Sequence, residues 1–93
     1  MCGIAGSINF VDKKVDEGII PLLTKSIKHR GPDHSGFWLS NNHSALMINT
    51  RLSILDLSRN GNQPFFSNDK RFVIVFNGEI YNFRNLKKKI KRI

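Results

Sequence analysis

One cysteine, one tryptophan, one tyrosine and three prolines are all that 93 residues hold of those types, and no acidic residue lies beyond Glu79. A single cysteine cannot close an internal disulfide, which fits a reducing, cytosolic chain. His29, His34 and His43 lack cysteine or carboxylate partners at ligand spacing, so no metal site is expected. The longest strongly apolar run is Phe72 to Phe76. It is far short of the ~20 residues needed to span a bilayer core of about 30 Å. The N-terminus has no basic region followed by an apolar stretch, so a signal peptide is not expected. Without secretion, the glycosylation spacing at Asn42-His43-Ser44 is accidental.

What is present is mainly positive charge. The net charge is +8, yet Arg84, Lys87, Lys88, Lys89, Lys91 and Arg92 supply 6 of the 15 cations. Residues 1 to 82 are nearly balanced, with 9 cations against 7 acids. The basicity therefore belongs to the tail. A solvated helix face explains it most simply, with nucleic acid not expected as a partner. A basic module that binds nucleic acid or an acidic partner through this tail stands as the alternative of the binding class.

One domain is the most that this length supports. Ile4, Gly6, Ile8 and Phe10 alternate, predicting a first strand just after Cys2. Ile19, Leu22, Leu23 and Ile27 follow helical spacing over roughly residues 19 to 28, with Pro21 in the first turn and Gly31-Pro32 as the stop. Phe37 to Leu39 and Ala45 to Asn49 read as strands joined by the polar turn Ser40 to Ser44. An apolar-rich segment, Arg51 to Leu57, leads into a loop over residues 58 to 62. Phe65-Phe66 and Phe72 to Phe76 flank a Ser67-Asn68-Asp69 turn and predict a hairpin, which Asn77-Gly78 breaks. Leu86, Ile90 and Ile93 predict an amphipathic last helix with a basic outer face.

Cys2 directly follows the initiator Met1. Removal of Met1 would leave a residue carrying both a thiol and a free α-amine. A cysteine thiol ordinarily titrates near 8.5, so roughly 3% of such thiols are ionised at neutral pH without help. An α-amine titrates near ~8 and can act as the base for its own side chain.

Five blocks stand in order along the chain: Met1-Cys2-Gly3-Ile4-Ala5-Gly6, His29-Arg30-Gly31-Pro32-Asp33, Arg51-Leu52-Ser53-Ile54-Leu55-Asp56-Leu57, Gln63-Pro64, and Asn77-Gly78-Glu79-Ile80-Tyr81-Asn82. Together they resemble the class II glutamine amidotransferase domain, most closely the N-terminal glutaminase domain of glutamine-hydrolysing asparagine synthetases. The resemblance runs over the whole chain, and its specificity lies in the joint order of the blocks. That branch also includes homologues that amidate other acids or act in surface-polysaccharide pathways.

The resemblance implies an α+β fold: the N-terminal part of an αββα Ntn-hydrolase sandwich with antiparallel sheets, incomplete over residues 1 to 93. It implies L-glutamine as substrate, with Cys2 attacking the side-chain amide to release ammonia through a glutamyl thioester. Asn77 and the Gly78 backbone N–H resemble the oxyanion hole. Arg51 resembles the group that pairs with the α-carboxylate, with Leu52, Ser53, Ile54 and Leu55 lining the site beside it. Glu79 resembles an acid that holds the α-ammonium. His29 to Asp33 would shape the pocket wall.

Two positions depart from the pattern. Asn49 stands where the family commonly has histidine two residues before the arginine, and Asn62 where histidine is frequent before Gln63-Pro64. Neither carries an expected chemical role. The resemblance also implies that the glutaminase domain continues for about as many residues again, supplying a further aspartate for the α-ammonium. It implies as well a synthetase domain that uses ATP and Mg and aminates adenylated aspartate. Residues 1 to 93 need no cofactor of their own. In isolation they are expected to have little glutaminase activity, since an incomplete sandwich exposes strand edges and a sheet face. An inert product of an interrupted gene is the other alternative.

Overall fold

In a computed structural model, the chain is described over residues 2–11, 13–53 and 61–91. Its fold is α+β, with two small antiparallel sheets and two α-helices among the described residues.

The first sheet has the order β1-β3-β2, with β1 at Gly3–Ile8, β2 at His34–Leu39 and β3 at Ala45–Arg51 in the centre. The expected alternation over residues 4 to 8 thus forms an edge strand. The two strands predicted around the Ser40 to Ser44 turn are both present, and both run longer than the apolar pattern suggested. Asn42 Oδ1 organises that turn by accepting from the Ser40 hydroxyl (2.8 Å), the Ser44 N–H (3.1 Å) and the Ser44 hydroxyl (2.7 Å). Pairing sets Gly3 opposite Thr50 and Ile8 opposite Ala45 on one side of β3, and His34 opposite Arg51 and Leu39 opposite Leu46 on the other.

Residues directly opposite in a ladder share a face. Ala5, Ile48 and Phe37 therefore point one way, and Ile4, Asn49 and Gly36 the other. Helix α1, Ile19–Ile27, covers the first of these faces. The core there is Val15, Leu46 and Ile48, with Ala5, Ile19, Ile20, Leu23, Ile27 and Leu39 packed against it. Pro21 sits in the first helical turn, where its missing N–H has no intrahelical partner to lose. The Thr50 hydroxyl donates to the Ile27 carbonyl (3.0 Å), fastening the helix end to β3. After α1 a short 3₁₀ turn, Lys28–Arg30, brings the chain back under β3, and Pro32 bridges to Arg51. A side chain at Gly31 would collide with the Thr50 carbonyl, so only glycine lets the backbones come this close.

The second sheet is the expected hairpin, reduced to β4, Phe65–Phe66, and β5, Val73–Ile74, paired through Phe65–Ile74 and Phe66–Val73. Helix α2, Phe83–Lys91, presents Leu86 and Ile90 largely exposed, and its lysines point to solvent. The predicted third apolar position, Ile93, lies outside the described residues, as do residues 54–60 of the apolar-rich segment and loop. None of the described helices is long and apolar enough to cross a membrane.

Candidate active site

The site grows from the place where β1 begins and β3 ends. Because β1 and β3 are antiparallel, the residue before Gly3 falls beside the residues after Thr50. Cys2 is half-buried there. The Leu52 N–H points at its Sγ (3.5 Å), and the thiol reaches the Leu52 carbonyl at 3.9 Å. Arg30 Nε donates to the Cys2 carbonyl at 3.3 Å, holding the chain terminus against the 3₁₀ turn.

Arg51 ends β3 with only 6% of its surface exposed. Its Nη1 donates to Asn62 Oδ1 at 2.7 Å, and Gly61 lies flush against the guanidinium. The backbone around it is braced from the other side. The Arg51 carbonyl accepts the Asp33 N–H (2.9 Å), and the Asp33 carboxylate accepts the Ser53 N–H (2.7 Å). Asp33, at the end of the His29 to Asp33 block, thus braces residues 51 to 53.

The second sheet meets the first through Gln63. The Asn49 side chain is fully buried, and its Nδ2 donates to Gln63 Oε1 (3.2 Å) and to the Gly3 carbonyl (3.4 Å). Gln63 Oε1 also accepts the Phe76 N–H (2.6 Å), while its Nε2 donates to the Phe76 carbonyl (3.1 Å). Gly36, opposite Asn49 in the ladder, leaves room for the Gln63 backbone, whose carbonyl would collide with any β-carbon there. Asn77 follows directly and is half-buried, its side chain without a hydrogen bond among the described residues. Gly78 is exposed beside the Phe76 ring, where an added β-carbon would come within 3.0 Å.

A chain matching a family model over residues 1–93, that of the glutamine amidotransferase domain, is thereby placed beyond its motifs alone. This chain belongs to the glutamine amidotransferase domain family. It is 44% identical to a Methanocaldococcus jannaschii protein whose name marks it as a provisional glutamine-hydrolysing asparagine synthetase 2, across 96% of this chain and 20% of that one. It is 40% identical to the glutamine-hydrolysing asparagine synthetase 2 of Bacillus subtilis, across 94% of this chain and 12% of that one. Asparagine synthetase 1 of Arabidopsis thaliana is 37% identical across 98% of this chain and 15% of its own length. The chain spans a fifth or less of these curated relatives. No solved structure matches it.

Of the residues expected to form the amidotransferase site, the fold brings together Cys2, Arg51, Leu52 and Ser53 directly, and links the stretch before Asn77 and Gly78 to them through Gln63. It does not bring Glu79 in: that side chain is exposed and has no hydrogen bond or ion pair among the described residues. Met1, Ile54 and Leu55 lie outside the described residues. Sequence reasoning gave Asn49, Asn62 and Gln63 no role, yet each holds a site element. The available signal was the polarity of Asn49 in a central strand, since a buried amide must find partners.

Proposed function

We propose that this chain supplies the glutamine-hydrolysing half of an amidotransferase, with Cys2 as nucleophile once Met1 is removed. The observation that carries the reading is the contact of Cys2 Sγ with the Leu52 backbone, one residue from the buried Arg51. The α-carboxylate of glutamine pairs with the Arg51 guanidinium, whose planar fork suits it. Leu52 and Ser53 line the site beside it.

The Cys2 α-amine takes the thiol proton as Sγ bonds to the amide carbon, and the carbonyl electrons move onto oxygen. Asn77 and the Gly78 N–H receive that charge; one such donor is typically worth about 2.7–4 kcal/mol of barrier. The intermediate collapses with the C–N bond breaking, and the α-ammonium gives its proton to the departing nitrogen as ammonia. Water, deprotonated by the same amine, then opens the thioester to glutamate and restores the thiol. The ammonia amidates aspartate in an ATP- and Mg-dependent synthetase unit, joined to this chain or separate from it, in the cytosol.

The test is glutamate release from glutamine by the intact protein, with mass spectrometry of its N-terminus. Cys2→Ala is expected to lower kcat by more than ~10³-fold, as loss of a covalent nucleophile does. Turnover that survives Cys2→Ala, or that proceeds on protein with Met1 retained, refutes the reading.

A further inference from the structure

Every polar atom of the Gln63 side chain is used, and in one pattern. Its Oε1 accepts the Phe76 N–H and its Nε2 donates to the Phe76 carbonyl, so the primary amide pairs with a single residue as a neighbouring strand would. The orientation of that amide is fixed by its partners: turning it over would set N–H against N–H at Phe76 and leave Asn49 Nδ2 facing a donor. Asn49 is fixed likewise, because its Nδ2 faces two acceptors, Gln63 Oε1 and the Gly3 carbonyl. Asn49 Oδ1 is buried and has no partner among the described residues, so the amide is held by its donor side alone.

The two ends of this network matter. Gly3 follows Cys2, and Phe76 precedes Asn77. β5 has already ended at Ile74, so the ladder no longer holds residue 76. The exposed hairpin has no buried residue of its own to fix where its outgoing strand points. We infer that Gln63, locked by Asn49, is a positioning residue that sets Asn77 relative to Cys2 through the Gly3–Asn49–Gln63–Phe76 hydrogen-bond relay. The inference rests on the reading of Cys2 as nucleophile and Asn77 as oxyanion donor. Gln63 touches neither substrate nor sulfur in it; its effect passes through the backbone of residue 76.

A relay that aims an oxyanion donor acts on the transition state more than on bound glutamine. Gln63→Glu keeps the acceptor for the Phe76 N–H but sets a carboxylate oxygen against the Phe76 carbonyl. Asn49→Asp removes the donor to both Gln63 and Gly3, whereas Asn49→His keeps a ring N–H able to reach the same acceptor. In the intact protein, Gln63→Glu and Asn49→Asp are expected to lower the kcat of glutamine hydrolysis by about 10–100-fold with KM within ~3-fold, the pattern of a lost transition-state interaction. Asn49→His should stay within ~3-fold of the parent in both constants.

Two further readouts separate aim from mere folding. Alkylation of Cys2 by iodoacetamide builds no oxyanion, so its rate should change less than ~2-fold in either variant. In a double-mutant cycle, Asn77→Ala alone should cost ~10²–10³-fold in kcat, and adding Gln63→Glu should cost less than ~2-fold more. Full multiplication of the two effects overturns the relay, as does a kcat for Gln63→Glu equal to the parent's. KM, alkylation and kcat falling together also overturn it. If Gln63→Glu does not melt cooperatively, Asn49→Asp carries the same cycle. Parent protein without Cys2-dependent turnover brings down the site reading and the relay together, while turnover untouched by either variant brings down the relay alone.

Discussion

The two parts of this chain that share the candidate site are built to different standards. Among the described residues, 2–53 contain every buried side chain: Val15, Leu46 and Ile48 under α1, and Asn49, Thr50 and Arg51 along the end of β3. Residues 61–91 contain none, and Phe65, Phe66, Phe72, Ile74 and Phe76 are all substantially exposed. The first part holds Cys2 and Arg51 by a packed ladder and a covering helix. The second holds Asn77 and Gly78 by side-chain hydrogen bonds, Asn49 to Gln63 and Arg51 to Asn62 among them. Cys2 and Arg51 therefore sit on the rigid element, while Asn77 and Gly78 are fastened to it by polar links. Burial fixes position through many weak contacts at once, whereas a hydrogen bond fixes it through one direction and one distance.

The contrast can be broken most forcefully in the core. Ile48→Ala removes the centre of the packed face and is expected to cost about 2–5 kcal/mol in denaturant melts, whereas Ile90→Ala on the exposed face of α2 should stay within about 0.5 kcal/mol. Equal losses would mean that α2 is packed as tightly as β3. Gly36→Ala probes the junction instead. Its β-carbon would drive the Gln63 carbonyl away from β2, at an expected cost of about 1–3 kcal/mol, with amide shifts concentrated in residues 61–77. Shifts confined to β2 would show that the junction yields without moving the hairpin.

The smallest effect belongs to the hairpin turn. The Ser67 hydroxyl (2.7 Å), and after it the Arg71 N–H (3.0 Å), hold the exposed Asp69 carboxyl below the usual carboxylate range. A depressed folded-state value means that the stabilisation is complete above the unfolded value of ~3.9 and fades as pH falls through the folded one. NMR spectra of Ser67 to Phe72 should thus be constant from pH 7 to 5 and change only below about 4. A turn that loosens near pH 6 would contradict this.

Much of this chain was legible one residue at a time. Two-residue alternation at Ile4 to Ile8, helical spacing at Ile19 to Ile27 and the polar turn at Ser40 to Ser44 each stand where their patterns put them, because local periodicity decides which face can be buried. The blocks around Cys2, Arg51 and Asn77 identified the family through their joint order and spacing along the chain. The start of β2 and the length of β3 were less legible, since His34, Thr50 and Arg51 join the ladder through pairing rather than through apolar pattern.

The amino-acid order alone thus determined most of the elements and the family. Tertiary structure alone decided that Leu52 faces the sulfur of Cys2, that Arg51 is buried under Gly61 and Asn62, and that Asn49 and Gln63 join the two sheets. Those facts depend on pairings between residues 10 to 50 positions apart, whose geometry is set by strand register and close packing. No local pattern encodes such a distance, because a polar side chain reads the same in sequence whether it meets water or a neighbouring amide.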